Sequence, residues 1–118
     1  MIEYPWAAIS ILDFQEGGNI VCSITNQSED TSLSYGEGYF VVRKLEGKWY
    51  RVPAFYPVEF DAVLQTLMPG KAVEKTFCVK PWIDISEGRF IRTAEEDAAH
   101  YRLVMEPARA FVDFWFKP

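Results

Sequence analysis

Residues 39–52 read YFVVRKLEGKWYRV, and this stretch decides the fold. Two runs rich in β-branched and aromatic residues, Tyr39 to Leu45 and Lys48 to Val52, flank the dipeptide Glu46-Gly47. Glycine tolerates the positive φ that a two-residue connection demands, so the stretch reads as a β-hairpin. A two-residue loop places Val41 opposite Val52 and Lys44 opposite Trp49.

Working outward, the same short alternating runs continue in both directions. Upstream, Trp6 to Phe14 ends at Gly17-Gly18 and Asn19 to Thr25 follows at once, two consecutive strands with a tight connection. Asn26-Gln27-Ser28-Glu29-Asp30 then forms a polar turn whose side chains bond local backbone. Downstream, Pro53 and Pro57 lack a ladder donor and bar their stretch from the middle of a sheet. Val58 to Leu67 is read as a strand and Met68-Pro69-Gly70 as a turn. From Lys71 to Lys80, Val73, Phe77 and Val79 share one face, interrupted by Lys75, while Glu74, Thr76 and Cys78 share the other. Trp82, Ile83 and Ile85, bracketed by Pro81 and Gly88, make a loop over one end of the core, and Arg89 to Thr93 is a further short strand. Ala94 to Met105 reads as a helix, with Glu95, Glu96 and Asp97 in its first turn, Arg102 near its end and Pro107 to stop it. In the terminal strand, Ala108 to Lys117, alternation sets Ala110, Val112, Phe114 and Phe116 on one face and Phe111, Asp113 and Trp115 on the other.

A chain of 118 residues fits one domain, residues 1–118, large enough to hold a core without a metal or disulfide staple. Aromatic residues make up 16% of it, which favours layered sheets over helical bundles. The fold class is all-β: an antiparallel β-sandwich of about seven or eight strands, with Trp49 buried and one short helical insertion before the last strand. A net charge of -5 has the wrong sign for a phosphate backbone or an anionic membrane, so nucleic acid is excluded as a partner. No apolar run reaches the roughly 18 residues of a membrane span.

Taken in order, Ser23-Ile24-Thr25-Asn26-Gln27-Ser28, Tyr35-Gly36, Tyr39 to Val42, Gly47-Lys48-Trp49-Tyr50, Met68-Pro69-Gly70, Phe77 and Gly88-Arg89-Phe90 resemble the bacterial immunoglobulin-like domains of Gram-positive surface proteins and lipoproteins. The resemblance spans roughly residues 20 to 92. Phe90 stands where that family has Tyr and Ile91 where it has Arg, and the stretch from Ala94 to Met105 is longer than its norm. The resemblance implies an immunoglobulin-like sandwich that binds a protein partner or spaces neighbouring domains, with no catalytic residues to carry over. It also implies an extracytoplasmic or cell-surface location, with a secretion signal upstream of Met1; a native start at Met1 implies the cytoplasm instead.

Residue chemistry points the same way. Cys22 shares a face with Ile20 and Ile24 and points inward, whereas Cys78 points outward, so the two are expected as free thiols. His100, the sole histidine, is expected on a solvated helix face with no second ligand and no nucleophile motif beside it. Gly36-Glu37-Gly38 lacks the third glycine of a phosphate-binding loop. The chain is therefore read as no enzyme, with no cofactor and no metal. The candidate contact surface is Phe111, Trp115 and Trp82. A lid made of Ala98, Tyr101, Leu103 and Met105 is expected over the first two. Two alternatives stand beside a binding or spacer module. One is a proteinase inhibitor, presenting residues 26–34 or 53–57. The other is a carbohydrate-binding module using exposed aromatics.

Overall fold

The computed structural model describes residues 6–106 and 110–118. Alternation turns these into ten strands: β1 (Ala7–Gln15), β2 (Asn19–Asn26), β3 (Leu33–Tyr35), β4 (Tyr39–Leu45), β5 (Lys48–Arg51), β6 (Gln65–Leu67), β7 (Ala72–Cys78), β8 (Arg89–Ile91), β9 (Ala99–Met105) and β10 (Phe111–Lys117). β3, β6 and β8 hold three residues each, too few for a periodic signal. The strands pair antiparallel throughout, in a three-stranded sheet of order β1-β2-β7, a five-stranded sheet of order β5-β4-β9-β10-β8, and a small β3-β6 ladder. Ile20, Cys22, Ile24 and Phe77 of the smaller sheet share one core with Val41, Tyr101, Leu103, Met105, Phe114 and Phe116 of the larger. This is an all-β sandwich.

The deciding hairpin has the expected register. Lys44 pairs with Trp49, and the Val52 amide donates to the Val41 carbonyl at 2.9 Å. Glu46 and Gly47 both take positive φ, 51° and 80°, the turn that matches strand twist. Gly88 is required for a different reason: a Cβ there would run into the Lys117 carbonyl. Phe90, which follows it, lies against Phe14, Phe114 and Phe116, an apolar setting in which a tyrosine hydroxyl would find little to bond.

Polar groups tie the layers. The Tyr39 hydroxyl crosses from the larger sheet to donate to the Cys78 carbonyl at 2.7 Å and accept from the Cys78 amide at 3.1 Å, and burial pushes its pKa up to about 12. Asn26 is fully buried, donating through Nδ2 to the Thr31 and Leu67 carbonyls and accepting the Ser28 amide on Oδ1. The Lys75 side chain lies opposite Cys22 on the inner face, where its ammonium meets the Gly36 carbonyl and Glu37, each at 3.1 Å. Arg92 spans a bulge in β1, donating to the Ile11 and Leu12 carbonyls.

Several expectations are corrected. Residues 99–105, expected as the end of a helix, form β9, the central strand of the larger sheet. The alanines and acids before it favour helix only locally. Two ladders and the burial of Tyr101, Leu103 and Met105 reward extension far more than propensity rewards coiling. The acids fall in a turn in which the Ala98 amide donates to the Glu95 carbonyl and Asp97 has a φ of 65°. Pro107 lies outside the described residues. Of residues 58–67, only Gln65–Leu67 is strand, and Phe60, Val63 and Leu64 are exposed. Trp82 is only 7% exposed, with its ring 5.3 Å from that of Tyr39, so it belongs to the core and not to a contact surface. Trp49 is half-buried on the outer side of the larger sheet rather than in the core. Both cysteines are free, Cys22 buried and Cys78 partly exposed, on opposite sides of the smaller sheet.

Replacing Tyr39 with Phe keeps the ring and removes the strap, leaving both polar groups of Cys78 without it. The variant should lose about 1–3 kcal/mol, read as a lower denaturant midpoint with an unchanged slope. An unchanged midpoint would show that water replaces the hydroxyl at no cost.

Candidate functional site

The outer face of the five-stranded sheet carries the candidate site. Because Val112, Phe114 and Phe116 go inward, Phe111, Asp113 and Trp115 of β10 must point out. The same rule turns His100 and Arg102 of β9 outward, since Tyr101 and Leu103 point in, and Trp49 follows from its pairing with Lys44. Strands β5, β9 and β10, with β4 between the first two, thus place three aromatic rings, an imidazole, a guanidinium and a carboxylate on one face.

Asp113 sits at the centre. Arg102 lies directly across from it and binds in a fork, Nε to Oδ1 at 2.7 Å and Nη2 to Oδ2 at 3.3 Å. His100 Nε2 lies 3.0 Å from the same Oδ2. Burial alone would raise the Asp113 pKa, but the hydrogen bonds from Arg102 and then His100, with their charges, hold it below the usual carboxylate range. The flat faces of both Arg102 and His100 are used as well. The Arg102 guanidinium is held between Trp49 and Phe111, 4.2 and 3.8 Å from their ring centroids. His100 stacks on Trp115 at 4.4 Å and 20°, with Trp49 edge-on to it at 4.9 Å. At the margin Arg51 lies 4.1 Å over Phe40, and Lys44 lies 5.9 Å from the Trp49 ring.

The expected lid is absent from this face: Tyr101, Leu103 and Met105 point into the core from β9. Phe111 is 50% exposed, and Trp115 is half-buried against His100. Of the three residues expected as a contact surface, the structure brings Phe111 and Trp115 to one face and leaves Trp82 in the interior. It adds Asp113, Trp49, His100 and Arg102; a helix over residues 94–105 keeps the last two off the sheet, and a buried Trp49 assigns that ring to the core. The alternation His-Tyr-Arg-Leu-Val-Met was the signal that could have found them.

Among the described residues, no hydroxyl or thiol bonds to His100, and no group of three or more His, Cys, Asp or Glu side chains could hold a metal ion. The arrangement is a rigid, amphipathic, laterally bonded surface, suited to recognition. Elsewhere, Phe55 and Tyr56 border an open groove of about 540 Å³ with Lys80, Ile83, Asp84, Ile85 and Ser86.

A family model described as a bacterial Ig-like domain matches residues 11–91. The chain belongs to this family. No curated protein and no solved structure matches it. In this Ig-like domain the matched residues run from within β1 through β8 and stop before β9 and β10, the two strands that supply most of the outer face. The matched span contains Tyr39 and Cys78, so the inter-sheet strap falls within it, whereas Lys117, which closes on Gly88, and Asp113 with its partners His100 and Arg102 do not.

The lowered Asp113 pKa fixes a pH dependence. Its contribution to stability is complete above the unfolded-state value near 3.8 and is lost as pH falls through the lower folded value. Thermal melts at neutral pH and near pH 3 should show a smaller acid-induced fall in Tm for Asp113→Asn than for the parent. Parallel curves for the two proteins would remove the network from the account of acid stability.

Proposed function

We propose that this bacterial Ig-like domain is a non-enzymatic binding module of an extracytoplasmic or surface protein. Its contact surface is the outer face of the larger sheet, and its partner is a protein. The observation that carries this reading is Phe111, half-exposed with its ring against the Arg102 guanidinium of the bonded aromatic and cationic network. Large rings and arginine held rigidly at a surface are the groups that dominate protein contacts, because little side-chain entropy remains to be lost on docking.

A sugar platform is less well supported. One face of Trp115 is taken by His100, and Trp49 stands at 75° to that ring, so the aromatics do not form the coplanar row a glycan would stack on. The inhibitor reading draws no support from residues 26–34, whose backbone is tied inward by Asn26 and Ser28. Residues 53–57 present Phe55 and Tyr56 outward, with the Phe55 amide bonded to the Pro81 carbonyl at 2.8 Å.

Phe111→Ser tests the surface directly. An exposed ring contributes little to the core, so the variant should melt within about two degrees of the parent. In parallel affinity captures from cells that make the domain, proteins retained by the parent should be lost with the variant. Equal capture by both folded proteins would sink the assignment of this face.

A further inference from the structure

The chain is acidic, yet its charge is unevenly placed: most of the acids lie in turns and loops, while the cations gather on the larger sheet. The five strands β4, β5, β8, β9 and β10 hold seven of the 12 Lys and Arg residues and one of the 17 Asp and Glu residues. That single acid is Asp113, already committed to Arg102 and His100. Register puts Lys44, Arg51, Arg89, Arg102 and Lys117 on the outer face with the aromatic cluster. Glu95 reaches Lys117 at 3.2 Å and Arg89 at 3.9 Å, which offsets part of the charge at that corner. Lys44 and Arg51 are exposed and, among the described residues, have no carboxylate partner; each lies over an aromatic ring instead.

Resting on the surface proposed above, we infer that the partner docks there through a short acidic segment of another protein, one that presents Asp or Glu beside apolar side chains. Lys44 and Arg51 take the carboxylates, and Phe111 and Trp115 take the apolar groups. The cationic area is an island. At one end of the strands lie Glu46 and Glu95 to Asp97, brought together because Arg43 pairs with Tyr101; at the other lie Glu37 and Glu106, the latter bonded to Gly38. A long polyanion running along the sheet would meet like charge at both ends, whereas a short segment would not. Complementary charge of this kind suits a steered, salt-sensitive encounter and excludes basic partners.

The test uses a fluorescently labelled peptide of alternating Glu and Leu, with a Lys-Leu peptide of the same length as control. The Glu-Leu peptide should bind, and binding should weaken as NaCl rises from about 50 mM to about 500 mM, where screening shortens the reach of charge. Lys44→Glu with Arg51→Glu should weaken it by about tenfold or more, the scale of losing close charge pairs. Lys71→Glu with Lys80→Glu, which alters exposed cations away from this face, should leave it unchanged. No binding, equal binding of the Lys-Leu peptide, or indifference to the Lys44 and Arg51 reversals would overturn the inference. So would displacement of the peptide by oligo-dT or heparin at matched charge, which would indicate a polyanion. Self-association of the parent that is abolished by the Lys44 and Arg51 reversals would overturn it in favour of a second copy of this chain. If captured proteins depend on Phe111 but not on Lys44 and Arg51, the surface stands and only its acidic specificity falls.

Discussion

A strand that buries every second side chain must show the others to the opposite side, and the architecture depends on how this protein meets that constraint at the centre of its larger sheet. β10 cannot place Phe114 and Phe116 in the core without setting Phe111, Asp113 and Trp115 outside. A second layer of helices would hide such a face; here the rings are instead matched with planar cations. Arg102 is well suited because its guanidinium offers edge donors to Asp113 and two faces to Trp49 and Phe111. Lysine could supply the charge but neither the fork nor the plates.

The same economy of groups holds the layers together. Tyr39 takes both polar groups of one residue on the far sheet, and Asn26 satisfies three backbone groups from a site without water contact. These buried contacts are directional, so they set how the loops and sheets meet, while apolar packing supplies most of the free energy. The family match follows this division. Residues 11–91 contain both anchors and the hairpin, and the outer-face network draws chiefly on what comes afterwards.

The sequence was most legible where local chemistry and tertiary need agree. Glu46-Gly47 permits only a tight turn, and alternation around Ile20 to Ile24 and Phe77 to Val79 gave the facing of both cysteines. It was least legible at residues 94–105, where alanine and acid content argue for helix and only the ladders to β4 and β10 argue for strand. Those ladders involve residues about sixty positions away on one side, beyond the reach of any local window. The misreading also concealed the site, because a helical His100 faces Glu96 whereas an extended one faces Trp115 and Asp113. Trp49 was misplaced by analogy with sandwiches whose hairpin tryptophan points inward, although its pairing with Lys44 already set it among outward residues.

The place of β9 in the sheet has a further consequence for how the chain reaches its native state. The strand lies between β4 and β10, yet it is the ninth of the ten described strands to leave the ribosome. Until residues 99–117 are free, β4 is paired only with β5, and Val41 and Phe40 border an open edge. Closure therefore waits until both late strands have emerged, and long-range pairing of this kind is intrinsically slow. During that interval the nascent chain shows both an unsatisfied strand edge and half of a hydrophobic core, the combination that chaperones recognise and that aggregation exploits.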